Sequence, residues 1–220
     1  MALQVETKDC TALGDTEFAE MADLCASGPS GFEAGFLSKS AEGWVLASLV
    51  HRSNDLLGFS FSTLERIGGT PSILIGLASV AREAKRDQVL QAIMAEQYRR
   101  AVMAFPDEDV LVGIRMADPA GFDALESLDD IIPRPDHKAT GEERAWGRRL
   151  AKRFGLDSYD DRSFIAQGDG TFPTSFDHER EDASSLAPEV CELFAVTEEG
   201  RGDCLIAFGW AMAEDLAARA

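Results

Sequence analysis

The sequence predicts an α/β protein on three observations. Two runs, 72–80 and 109–116, are apolar or small at almost every position, as strands buried on both faces are. Between them, residues 87–105 carry the longest helical stripe of the chain. Val89, Ile93, Tyr98, Ala101, Val102 and Phe105 oppose a wetter face of Gln91, Glu96, Gln97, Arg99 and Arg100. Ahead of both, 44–51 and 56–67 read as a hairpin about the turn residues Ser53-Asn54-Asp55.

The remaining elements follow from local signals. Residues 3–10 alternate as a strand, and Asp15 opens a helix whose Phe18, Met21, Leu24 and Cys25 recur at helical spacing. A second short helix is expected near 32–38, after the break Gly28-Pro29-Ser30-Gly31. Gly68-Gly69-Thr70-Pro71 separates the hairpin from the strand 72–80, and Pro106 closes the long helix. Asp118 and Pro119 supply the cap and first-turn proline of a helix ending near Leu128. Thr140-Gly141-Glu142-Glu143 is a capping box for a helix to about 154, with Gly155 at its stop. A short strand over 163–167, a polar stretch over 168–185 and two helical patterns, 187–194 and 203–218, complete the chain. In the last of these, Leu205, Ile206, Phe208, Trp210, Met212 and Leu216 surround much of the expected helix. Such a tail is expected to be either buried in the domain or a homodimer contact.

Composition narrows the function classes. The chain has 220 residues, the size of one large domain or of a compact domain with an extension. Its formal charge of −18 repels polyphosphate at long range, so a nucleic-acid partner is not expected. Arg144, Arg148, Arg149, Lys152 and Arg153 form a basic face on one helix, suited to a coenzyme phosphate, an acidic partner or, as the plainer reading, the chain's own carboxylates. Cys10, Cys25, Cys191 and Cys204 lack the close pair spacing of a metal site and read as thiols of a reducing compartment. His51, His137 and His178 lie in unrelated contexts, against a metal site or a nucleophile triad. With no basic patch before an apolar run and no span-length apolar stretch, a cytoplasmic protein away from membranes is expected.

Two stretches carry a resemblance. The first is Leu77-Ala78-Ser79-Val80 running through Arg82 and Lys85 into the long helix. The second is the strand 110–116, then Asp118-Pro119-Ala120-Gly121-Phe122 through Leu128, then Ile131-Ile132-Pro133-Arg134-Pro135. With the order strand, helix, helix, hairpin, strand, long helix, strand, helix, residues 1–135 resemble the core of the GNAT acetyltransferase superfamily, and 136–220 are an extension packed on it. The resemblance implies a mixed, largely antiparallel central sheet flanked by helices, with a helical C-terminal extension. It also implies acetyl-CoA or another acyl-CoA as co-substrate, a small-molecule or peptide amine as acceptor, and no metal. The pyrophosphate would lie at the open amides of the long helix's start, which favour an anion. The cofactor-binding residues so implied are Ala78, Ser79, Val80, Arg82, Lys85, Arg86, Asp87 and Gln88.

The chain departs from the family's loop, Arg/Gln-x-x-Gly-x-Gly/Ala. Lys85-Arg86-Asp87-Gln88-Val89-Leu90 fall on those positions, with Gln88 and Leu90 where small residues let the backbone approach phosphate. Arg82, Lys85 and Arg86 offer direct ion pairing in compensation, while Asp87 opposes it. Leu125 stands where the family often places a tyrosine that protonates the departing thiolate, and Phe122 also lacks a hydroxyl. Glu65 and Glu83 are the candidate bases for the amine, against the plainer reading of exposed carboxylates. Tyr98, on the apolar stripe, reads as core. Two functions remain: an acyl-CoA-dependent N-acyltransferase, or a catalytically inactive protein of the same fold that acts by binding or assembly.

Overall fold

The structure, a computed structural model, describes residues 2–28, 30–83, 85–171, 176–177 and 186–219. The elements run β1 (Gln4–Asp9), α1 (Asp15–Cys25), α2 (Ala34–Ala41), β2 (Leu46–Arg52), β3 (Asp55–Ile67), β4 (Thr70–Val80), α3 (Arg86–Ala104) and β5 (Val110–Met116). They continue with β6 (Asp129–Ile132), α4 (Gly141–Arg153), β7 (Tyr159–Asp160), β8 (Ile165–Ala166), β9 (Phe176–Asp177), α5 (Pro188–Glu192), β10 (Cys204–Ala211) and α6 (Ala213–Arg219).

Local chemistry sets the helix starts. In α1 the Gly14 amide donates to Glu17 Oε2 at 2.8 Å. In α4 the capping box is complete: Glu143 N donates to Thr140 Oγ1 at 3.2 Å, and Thr140 N to Glu143 Oε2 at 2.6 Å. Lys152 and Arg153 sit in the last turn of α4, where cations meet the negative end of the helix.

One sheet holds all the strands in the order β1-β2-β3-β4-β9-β5-β10-β8-β7, with β6 also pairing β10. The pairs β1–β2, β2–β3, β3–β4, β5–β10, β10–β8 and β8–β7 are antiparallel, and β4–β5 is parallel. This is the architecture expected from the sequence: a mixed, largely antiparallel sheet with helices on both faces. On one face α3 covers Ile73, Ile75, Val112, Ile114, Leu205 and Ala207. On the other, α1 and α2 cover Leu49, Phe59, Phe61 and Leu77, and α4 covers Leu74, Leu111, Ile206 and Phe208. Central strands clad on both faces are apolar or small at almost every position, which is why they read as near-continuous apolar runs.

Where α3 crosses β2 and β3 the interface is polar instead. Gln97 Nε2 donates to Ser48 Oγ at 3.3 Å and Ser60 Oγ at 3.4 Å, and Ser62 Oγ donates to Gln97 Oε1 at 3.1 Å. All four residues are buried. Each polar atom finds its partner within the seam, so burial costs little.

Two expected elements differ. The tail expected as a helix over 203–218 is instead the strand β10 followed by the short helix α6. An apolar run clad on both sides looks the same as a buried helix to a periodicity reading, and β10 is such a strand. Leu205, Ile206 and Ala207 are each 0% exposed, so these three are buried within the domain. The helix expected to end near Leu128 is a 3-10 helix, Pro119–Leu125; its cap is as read, with Asp118 Oδ1 accepting from Ala120 N at 2.8 Å. Among the described residues, no helix is long and apolar enough to cross a membrane, and no group of three or more histidine, cysteine or acidic side chains is placed to hold a metal. None of the four cysteines forms a disulfide.

Candidate functional site

The site begins with an irregularity in β4. Phe61 of β3 faces Leu77 and the next residue, Ser62, faces Ile75, so Gly76 is an extra residue in β4, a bulge. The bulge resets which side chains face which way. Before it, Ile73 and Ile75 lie on the α3 face; after it, Ala78 and Val80 do. Glycine is required here, because a Cβ at 76 would lie 1.7 Å from Trp44 Cζ2.

The same irregularity parts β4 from β5. Their parallel pairing runs from Ser72 with Leu111 to Ile75 with Ile114. Beyond it, the backbone of β9 enters the gap, with Phe176 opposite Ala78 and Asp177 opposite Ser79 on β4, and Phe176 opposite Met116 on β5. The chain's own later segment therefore pairs with two of the residues implied for cofactor binding. Val80, the third, packs on Val89 and Ile93 of α3.

From Val80 the chain turns into α3. Ala81 N donates to Leu57 O at 2.7 Å, Arg86 N to Glu83 O at 3.0 Å and Gln88 N to Lys85 O at 3.0 Å. Two amides near the helix start are thus already directed at carbonyls of the turn. Lys85, Asp87 and Gln88 are exposed, Arg82 and Glu83 are half-buried, and Arg86 is buried. Arg86 Nε lies 3.8 Å from Asp87 Oδ1. The basic turn exists, but its three cations sit at three different depths.

The two candidate bases are not brought together. Glu83 stands in this turn, paired with Arg52. Glu65 faces Ser72, four positions before Gly76 and so about 13 Å along the strand from the bulge. It accepts a 2.6 Å hydrogen bond from Arg153 Nε. Leu125 is fully buried, and Phe122 packs edge-on against Phe194 at 6.2 Å, so neither position supplies a hydroxyl. Tyr98 is buried, its hydroxyl 3.2 Å from Ser127 Oγ, about 18 Å along α3 from Arg86. It borders a cleft of about 490 Å³ between α3 and the 3-10 segment.

The two described histidines lie apart. His137 Nε2 lies 2.9 Å from the Glu143 carboxylate, His51 sits on β2, and His178 lies outside the described residues. The basic face of α4 meets the chain's own groups: Arg148 pairs with Asp161, Arg153 with Glu65, and Arg149 lies 4.6 Å over the Trp146 ring.

Sequence reasoning passed over one residue. Arg115, on β5, is only 7% exposed and points to the face opposite α3. Its Nε donates to Gly76 O at 3.1 Å, its Nη1 to Phe154 O at 3.3 Å, and its guanidinium lies 5.3 Å from the centre of the Phe154 ring. Among the described residues no carboxylate lies within ion-pair distance of it. Burial pushes its pKa down to about 10, which leaves it charged at neutral pH. Beside it on β10, burial pushes the Cys204 thiol up to about 11. Arg115 borders a cleft of about 590 Å³ that Phe36, Asp157, Gln167, Asp169 and Cys204 also line. The signals were present as an arginine and a lone glycine, each inside an apolar strand.

No family model matches the chain, and no curated protein matches its sequence. Among solved structures, it is similar to the ribosomal-protein-S18-alanine N-acetyltransferase from Escherichia coli, with 11% identity over 95% of this chain and 95% of that one, at a TM-score of 0.48. It is similar to the ribosomal-protein-alanine N-acetyltransferase from Brucella melitensis biovar Abortus 2308, with 14% identity over 50% of this chain and 79% of that one, at 0.39. A third is AAC(6')-Iy in complex with a bisubstrate analogue, CoA-S-monomethyl-acetylneamine, with 10% identity over 72% and 92% of the two chains, at 0.38. Each is a likeness of fold alone.

Proposed function

We propose that the protein is an acyl-CoA-dependent N-acyltransferase, with acetyl-CoA as donor and a primary amine as acceptor. The observation that supports this reading is the bulge at Gly76, which parts β4 from β5 into two strand edges, both paired by β9, that lead to a basic helix start. Coenzyme A carries amide groups in its pantetheine arm and phosphates at its far end. The edges that β9 pairs with suit the amides, and Arg82 and Lys85 suit the phosphates. Gln88 and Leu90 keep the backbone there from approaching phosphate as glycine would, so the side chains carry that part of the grip.

In the reaction, the acceptor nitrogen bonds to the thioester carbon, the carbon–sulfur bond breaks, and coenzyme A leaves as a thiolate. The amine gives up a proton, and the thiolate takes one. With no hydroxyl at Leu125 or Phe122, solvent supplies it. The protein's share is positioning, which converts an encounter of two molecules into a reaction within one complex.

Calorimetry with acetyl-CoA and with free CoA tests the reading. Saturable heat for both, and transfer to an added amine, are expected. Absence of heat and of any thermal shift at millimolar ligand overturns it. Binding without transfer to any amine favours the inactive protein of the same fold.

A further inference from the structure

The geometry points to Arg115 as the residue that holds a carboxylate in the acceptor subsite, so that the acceptor is an amine that also bears a carboxylate, an amino acid in chemical class. This rests on the transferase reading for the word acceptor; the carboxylate site itself stands on the cleft and the guanidinium.

An arginine has five N–H donors, and Arg115 uses one on Nε and one on Nη1. Nη2 makes no hydrogen bond among the described residues, and Arg115 lines the cleft. The donors left over are those of the Nη1–Nη2 end, the pair that meets the two oxygens of a carboxylate side by side.

The charge balance points the same way. A buried guanidinium is costly unless an anion compensates it, and Arg115 has two carbonyls and a ring face but no carboxylate. The chain carries 39 acidic residues, so withholding one from its most buried arginine lining a cleft leaves that place to a ligand.

Placement links the cleft to the proposed chemistry. The bond from Arg115 to Gly76 O holds the guanidinium at the bulge, where β4 and β5 part. An amino acid has its nitrogen two bonds from its carboxyl carbon. A carboxylate on Arg115 therefore brings the amine to the gap from the face opposite α3.

The test is calorimetric titration of the full chain, without CoA, with each common amino acid. Matched amines lacking the carboxylate run beside four of them: methylamine for glycine, ethylamine for alanine, ethanolamine for serine and phenethylamine for phenylalanine. At least one amino acid is expected to bind, tenfold or more tighter than its amine. Arg115→Gln should abolish the preference and Arg115→Lys keep part of it. Should Arg115→Gln fail to fold, Phe36→Asp places a negative charge at the rim, on a side chain already 40% exposed, and should weaken amino acid binding at least fivefold. No binding by any amino acid, equal binding by every matched pair, or a preference that survives these changes overturns the proposal. Amino acid binding without acetyl-CoA binding keeps the carboxylate site and removes the transferase; the converse does the reverse.

Discussion

Trp44 occupies the space that a side chain at Gly76 would need: a Cβ there would stand 1.7 Å from Cζ2 and 1.9 Å from Cε2 of the indole. The ring that fixes the bulge also packs 6.1 Å from Phe154, whose carbonyl receives Arg115. Bulge, ring and guanidinium therefore form one packed unit. Gly76→Ala should destabilise the protein by about 3 kcal/mol, as overpacking does where nothing can give way. Denaturant unfolding measures it, and Gly76→Ala combined with Trp44→Leu should recover part of the loss. Additive losses would mean that the ring is not what excludes the methyl.

The seam around Gln97 gives a second expectation. Gln97→Leu leaves the hydroxyls of Ser48, Ser60 and Ser62 buried without their shared partner. A loss of about 2 kcal/mol follows from the cost of stranding buried polar groups. Urea midpoints at unchanged slope check it.

Stability should also respond to acid through Asp203. Hydrogen bonds from Arg201 Nε at 2.7 Å and Nη2 at 2.6 Å hold its carboxyl at about 2, against the opposing effect of burial, and the Glu198 and Gly168 amides add to them. A carboxyl lowered by folding stabilises above its unfolded pKa of 3.8, and that contribution disappears as pH falls through the folded value. Roughly 2 kcal/mol should therefore be lost between pH 4 and 2. Asp203→Asn should lose a comparable amount at neutral pH and show a flatter profile below pH 4, read by unfolding at each pH.

β9 sets a third kind of expectation, in binding. If acetyl-CoA takes the strand edges of Ala78, Ser79 and Met116, it competes with β9. Phe176→Pro, which removes a backbone donor and fixes the local dihedral, should loosen that pairing and tighten acetyl-CoA binding by about fivefold. Calorimetry on both proteins decides it, and equal affinities would show that ligand and strand do not share the place.

The sequence was legible where one periodicity or one cap decides the outcome. The long stripe from Val89 to Phe105 fixed α3 to within a residue at each end, and Thr140 with Glu143 set the start of α4. It was not legible where the deciding partner is distant. Leu205 to Ala211 is apolar in either conformation; only its pairing with β5, some ninety positions earlier, makes it a strand. The implied cofactor residues Ala78 and Ser79 were located, but the strand lying against them comes from about a hundred positions later. Arg115 went unread because its meaning depends on carbonyls of Gly76 and Phe154, each 39 positions away.

The place of β10 carries a kinetic consequence. It alone bonds β5 to β6 and to β8, so without it the sheet falls into β1 to β5 on one side and the β7–β8 ribbon on the other. It is also the last of these strands to be synthesised. Hairpins can assemble β2 to β4 early, since their contacts are local, while β5 waits with a bare, largely apolar edge open to other chains. During refolding, amides of β8 and β10 should be the last to resist hydrogen exchange, and aggregation should be worst in the interval before they do.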